Sequence, residues 1–202
     1  MKILVTGFTP FGNETINPSY EAVRKLPDKI GEHRIVKRQL PTSFRKVGEL
    51  ARRVMEEEKP DFILCVGQNG GAAEIRLEKV AINYMDAKLA DNDGNICEDV
   101  PINPKGKTGY FSPLPLKEMK DNLNENKIPA AISLSAGAYV CNCLYYQVLA
   151  QCEENEADQK GLFVHVPYIP EQVLDKSAGT PSMELEEITK ALTCICRFCV
   201  NL

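Results

Sequence analysis

Residues 44–67, FRKVGELARRVMEEEKPDFILCVG, decide the architecture. Phe44, Val47, Leu50, Ala51, Val54 and Met55 recur at three- and four-residue spacing, which predicts a helix with one apolar face. Pro60 lacks the N–H that a further helical turn needs and stops it. DFILCVG then presents an unbroken apolar run, too short for a second helix and apolar on both sides of the chain. That pattern belongs to a strand inside a sheet covered on both faces.

The same alternation extends in both directions. Toward the N-terminus, Lys2 to Gly7 reads as a buried strand, followed by the loop FTPFGNETIN, a helix from Pro18-Ser19 through Ala22 and Leu26, and a strand from Arg34 to Leu40. Toward the C-terminus, beyond Gly70-Gly71, the alternating EIRLEKVAIN reads as a strand. There follow a polar helix around Leu116 to Asn124, the strand AAISLS, a helix starting near Tyr139, the strand GLFVHVP and a last helix after Thr180-Pro181. Strands alternating with helices predict one three-layer α/β/α domain over residues 1–202, with a mostly parallel twisted sheet. The stretch from Asp86 to Pro115 is rich in Asp, Asn, Gly and Pro and reads as a long loop serving as lid or interface. The acidic run CEENEADQ reads as a solvated surface loop.

A length of 202 residues with 44% hydrophobic composition suits a single core. The formal net charge of -4 comes from interleaved charges, which argues against nucleic acid and anionic membranes as partners and leaves a small or peptide-like substrate. No run approaches the roughly eighteen apolar residues of a membrane span, and the opening MKILVTGFTPFGNET lacks a secretory h-region and cleavage site. A cytosolic protein is expected. In that compartment the eight cysteines are thiols rather than a disulfide framework.

Any mechanism that needs an imidazole must use His33 or His165, the only two histidines. His33, in the polar stretch DKIGEHR, reads as a solvated surface residue. His165 ends an apolar run near the carboxyl end of a strand, where open parallel sheets place their ligand crevice; it reads either as such a group or as a core histidine bonded to backbone. Cys141, in SLSAGAYVCNCLYY, falls in the first turn of a helix that follows a small-residue turn. It reads either as a packed core thiol or as a nucleophile whose thiolate the free amides and positive helix end stabilise. Cys143 points away from it, and Cys65 belongs to a buried strand. Cys194, Cys196 and Cys199 form C-x-C-x-x-C without a second ligand pair or histidine, so no metal site is assigned. A base needs a third group to fix its tautomer, and Glu78, a carboxylate between apolar neighbours, is the choice over Glu74.

The motifs LVTGFTPFGNETINPSYEAV, VGQNGG, LEKVAIN, DAKLADNDG, SAGAYVCN and FVHVPYIPEQ, in this order over nearly the whole chain, resemble the pyroglutamyl-peptidase I family of cysteine peptidases. The resemblance implies a cytosolic, homotetrameric, cofactor- and metal-independent hydrolase that removes N-terminal pyroglutamate from peptides. It also implies a triad of Cys141, His165 and Glu78, and a ring pocket made by Phe8, Phe11, Asn17 and Gln68. Four positions depart from the family pattern: Lys88 stands where arginine is common and helps the oxyanion, Ala72 replaces an arginine, Cys143 a histidine, and Ser135 a threonine. The arginine-to-lysine change keeps charge but loses the planar fork. Two other readings are a catalytically silent protein that binds pyroglutamyl-capped peptides and a redox or metal-handling protein built on the C-terminal cysteines.

Overall fold

The computed structural model describes residues 1–155 and 158–202. In chain order its elements are β1 (Lys2–Phe8), α1 (Pro18–Lys25), β2 (Lys29–Ile30), β3 (His33–Leu40), α2 (Val47–Glu58) and β4 (Phe62–Gln68). After them come β5 (Ile75–Glu78), β6 (Val80–Ile82), β7 (Met85–Ala87), β8 (Cys97–Val100), β9 (Gly109–Phe111) and α3 (Leu116–Glu125). The chain ends with β10 (Ala130–Ser133), α4 (Val140–Glu154), β11 (Lys160–Val166) and α5 (Leu185–Cys199).

Every residue of β4 is buried, as the unbroken apolar run requires. It lies fourth in a seven-stranded sheet of order β10-β5-β11-β4-β1-β3-β2. β3, β1, β4 and β11 are mutually parallel neighbours, β5 runs antiparallel to β11 while parallel to β10, and β2 runs antiparallel to β3. Alternate residues of the strands serve two separate cores. Ile3, Phe62, Leu64 and Val164 pack with α1, α3 and α5 on one face. Leu4, Ile63, Cys65 and Phe163 pack with α2 and α4 on the other. The result is the α/β/α layering, with a mostly parallel sheet.

Three expectations need correction. EIRLEKVAIN is not one strand: β5 ends at Glu78, and Lys79 changes partners, its N–H donating to the Ser133 carbonyl at 2.8 Å and its own carbonyl accepting from Ser112 N–H at 2.9 Å. The following β6 therefore pairs with β9 in a separate ribbon. Residues 86–115 are not an irregular loop, because they include β8, β9 and the end of β7, and buried Asp91 organises one turn by accepting from the N–H groups of Phe44, Asp93 and Asn95 at 2.8–2.9 Å. Burial alone would raise its carboxyl, but these bonds outweigh it and hold Asp91 below its ordinary range. Finally, in CEENEADQ, Cys152 to Glu154 complete α4 and Cys152 packs against a core; Glu156 and Ala157 lie outside the described residues. His33 opens β3 half-buried, with Nδ1 2.9 Å from the N-terminal nitrogen of Met1.

Candidate active site

Parallel strands deliver their carboxyl ends to one edge of the sheet, and β1, β4 and β11 bring Phe8, Gln68 and His165 there. Register then fixes which way each side chain points. Glu78 stands opposite Phe163, two residues before His165, so Glu78, Phe163 and His165 share the face covered by α4. His165 Nδ1 lies 2.7 Å from Glu78 Oε1, with His165 6% exposed and Glu78 fully buried. The Phe163 ring supports the imidazole at a centroid distance of 4.8 Å. Glu78 is held further by its backbone, whose carbonyl accepts from Tyr145 Oη at 2.9 Å. Its Oε2 is buried without a partner among the described residues. A carboxylate so placed orients the ring with Nδ1 protonated and leaves Nε2 free to accept a proton.

Cys141 reaches the same place from above. The turn Ser135-Ala136-Gly137 leads from β10 to α4; Gly137 adopts φ +79°, a conformation that glycine takes without strain, and its N–H donates to Ser135 Oγ at 3.2 Å. Tyr139 caps α4 without a side-chain bond, and the first turn carries no acidic residue. No capping side chain therefore occupies its first backbone N–H groups. Asn142, fully buried, ties this turn to β6 and the segment after it, donating to the Ile82 and Tyr84 carbonyls at 2.9 Å and accepting from Ile82 N–H at 3.0 Å. Beneath the thiol lies Gly67, opposite His165 in the sheet; a Cβ there would stand 2.9 Å from Cys141 Sγ and 2.7 Å from Phe163 Cζ. Only glycine leaves room for the sulfur.

Cys141 and His165 line a cavity of about 240 Å³ together with Phe8, Phe11, Asn17 and Gln68. Phe11 packs on Tyr139 at 5.8 Å between ring centroids, and Tyr139 on Phe44 at 5.2 Å. Asn17 is already committed: Oδ1 accepts from Ser19 N–H and Oγ–H at 3.1 and 2.7 Å, and Nδ2 donates to the Thr9 carbonyl at 3.0 Å, capping α1. Gln68 gives Oε1 to Gln172 Nε2 at 2.9 Å. Thr42, Asn69, Ala136 and Tyr139 also line the cavity and were not singled out from the sequence. Asn69, Ala136 and Tyr139 fall inside the motifs VGQNGG and SAGAYVCN, whereas Thr42 lies in none.

One electrostatic influence opposes the expected one. Although Cys141 opens onto the cavity, burial of its sulfur pushes the thiol up to about 12, with the Glu78 charge adding to it; a bond to its own backbone N–H opposes them and is outweighed. Desolvation thus works against the stabilisation that the helix terminus offers the thiolate. Lys88 is exposed on the segment after β7 and is not among the residues that line the cavity. That segment does fold over the first loop, where Asn92 Nδ2 donates to the Pro10 carbonyl at 2.8 Å. Cys143 is buried on the far side of the helix, 3.9 Å from the Phe44 carbonyl. Cys196 and Cys199 pack into the other core, and no group of three His, Cys, Asp or Glu suited to a metal occurs among the described residues.

A sequence profile described as pyroglutamyl peptidase matches residues 1–200. The chain belongs to the pyroglutamyl peptidase family. Within that family it is 52% identical to a pyrrolidone-carboxylate peptidase of Thermosipho africanus over 96% of this chain and 94% of the relative. The corresponding Bacillus cereus protein is 46% identical over 94% of this chain and 88% of the relative. The crystal structure of Bacillus amyloliquefaciens pyroglutamyl peptidase I superposes with a TM-score of 0.92 at 44% identity, covering 96% of this chain and 94% of that one. A mutant pyrrolidone carboxyl peptidase from Pyrococcus furiosus gives 0.96 at 40% identity, covering 100% and 99%. As a member of the pyroglutamyl peptidase family, the chain is a cysteine peptidase of α/β fold, and no described helix is long and apolar enough to cross a membrane.

Proposed function

We propose that residues 1–202 act as one catalytic domain that removes the N-terminal pyroglutamyl residue from peptides, with Cys141 as nucleophile, His165 as base and Glu78 as its orienting carboxylate. The observation that carries the reading is the buried 2.7 Å Glu78–His165 contact opening onto the same cavity as Cys141 Sγ. His165 Nε2 takes the thiol proton as Cys141 Sγ bonds to the pyroglutamyl carbonyl carbon, and the carbonyl π-electrons move to oxygen. First-turn amides of α4 stabilise that oxyanion. The oxyanion collapses, the C–N bond breaks, and the imidazolium protonates the leaving amine. Water, deprotonated by His165, then cleaves the thioester.

Ring recognition rests on Phe8 and Phe11 as apolar walls and on Gln68 as a polar partner, with Asn17 shaping the loop. A neutral lactam suits this cavity, whereas a prolyl ring brings a charged amine and no ring carbonyl. A pyroglutamyl amide is therefore expected to be cleaved while the matched prolyl amide is not; equal kcat/KM for the two would remove the pocket assignment. Location in the cytosol and assembly as a homotetramer belong to the same proposal and rest on the family resemblance. Exposed Leu134 and Phe111 are apolar surface that assembly would cover, and sedimentation of the purified chain tests it.

A further inference from the structure

Gln68 and Gln172 are 104 residues apart in sequence and joined side chain to side chain, at 9% and 8% exposure. Gln172 sits in a short 3-10 turn, Pro170–Val173, that follows β11. Both ends of its carboxamide are determined by partners that can act in only one sense. Its Oε1 accepts from Ile169 N–H at 3.2 Å, and a backbone N–H only donates. Its Nε2 donates to Glu14 Oε2 at 2.9 Å, and an ionised carboxylate only accepts. Glu14 stays ionised: burial pushes its carboxyl up, but the bonds from Lys176 Nζ, at 2.7 Å, and Gln172 outweigh it and leave it below the ordinary range.

With its polarity fixed, Gln172 has one sense left toward Gln68: it donates, and Gln68 presents Oε1. Gln68 Nε2 is then the free end, with no protein partner among the described residues, and Gln68 is one of the residues that line the cavity. We infer that Gln172 is a positioning residue for ring recognition, setting the Gln68 carboxamide so that Nε2 donates to the lactam carbonyl of the substrate. This rests on the proposed role of Gln68 in the ring pocket. An unpinned amide could rotate half a turn and meet the lactam oxygen with Oε1, acceptor against acceptor.

Two substitutions separate pinning from bulk. Gln172→Met keeps length and removes the donor. Gln172→Glu replaces the donor with an acceptor, which draws Gln68 Nε2 toward itself and turns Oε1 into the cavity. Ring binding acts in ground and transition states alike, so the loss should fall on KM. For a pyroglutamyl amide we expect KM to rise about tenfold for Gln172→Met and more for Gln172→Glu, with kcat held within about threefold. In a Gln68→Ala background, which itself should raise KM about tenfold, either change should add less than about twofold. If Gln68→Ala leaves KM unchanged, the ring-pocket role of Gln68 fails. If Gln68→Ala raises KM and the Gln172 variants do not, the positioning role fails. Equal Gln172 effects in both backgrounds would make its role structural and overturn the inference. Should Gln172→Glu not fold, judged by circular dichroism, the Gln172→Met cycle decides alone.

Discussion

Two helices carry cysteines that a sequence reader would single out, and they differ in a way that thiol acidity does not explain. α4 bears Cys141 in its first turn and α5 bears Cys194, Cys196 and Cys199 in its C-terminal half. Burial pushes Cys141 and Cys196 alike up to about 12. Desolvation therefore acts on both thiols in the same direction. Cys196 is fully buried in the apolar cluster where α5 packs on α1 and α3. Cys141 faces a cavity, a glycine that makes room for its sulfur, and an imidazole already oriented by a buried carboxylate. Under the proposed mechanism the contrast assigns reactivity to a neighbouring base and access to substrate, and leaves the helix terminus to serve the oxyanion.

The largest test of this contrast exchanges sulfur for oxygen in each helix. Cys141→Ser should lower kcat at least about a thousandfold with the fold retained, because the alkoxide is far harder to generate. Cys196→Ser should leave kcat within about twofold but lower Tm, since a hydroxyl is placed in an apolar core at a cost of about 1–3 kcal/mol. Steady-state kinetics and thermal unfolding of both variants check this, and a Cys141→Ser variant with near-parental turnover would break the comparison.

Alkylation sharpens it. Left alone, a thiol at about 12 is almost wholly protonated at neutral pH, and its thiolate fraction rises tenfold per pH unit up to that value. In His165→Ala, iodoacetamide should label Cys141 on the order of a hundredfold more slowly than in the parent at about pH 7. That rate should then climb about tenfold per unit through about pH 9 without a plateau. Mass-spectrometric rates at several pH values decide it. Parental labelling at neutral pH in His165→Ala would mean that the helix terminus, not the imidazole, ionises the sulfur. Cys196 should stay unlabelled in native protein throughout.

How far the sequence carried this picture depends on how local each signal is. The strand at 62–68, the helix before it and the turn into α4 are written in continuous periodicity, and so were read correctly. Glu78 was legible because a carboxylate among apolar neighbours needs a partner. The break at Lys79 was not, since a period-2 pattern says which face a residue takes but not which sheet it joins. The burial that acts on the Cys141 thiol is not legible for a related reason: a helix start is local and visible, whereas the depth of the sulfur above Gly67 depends on strands β4, β5 and β11 meeting beneath it. Gln172 closes the motif FVHVPYIPEQ, but its role left no local signal, because its partners at positions 14, 16 and 68 are far away in sequence.

The smallest effect is expected at Lys88, and it returns to the contrast between what a fold holds in place and what it leaves outside. A cation helps an oxyanion when it is fixed and shielded from water; at 4 Å the attraction between unit charges falls from about 4 kcal/mol near a protein surface to about 1 kcal/mol in bulk water. Lys88 is exposed, absent from the cavity lining and without an ion-pair partner among the described residues. The amides at the start of α4 are fixed by the helix itself and by the three bonds of Asn142. We therefore predict that Lys88→Ala lowers kcat/KM by less than about threefold, whereas Asn142→Ala, which frees the first turn of α4, lowers kcat by at least about tenfold. Measuring both with the same pyroglutamyl amide ranks the two contributions. A loss at Lys88 larger than that at Asn142 would mean that the 88–92 segment closes over bound substrate and brings the ammonium to the reacting carbonyl.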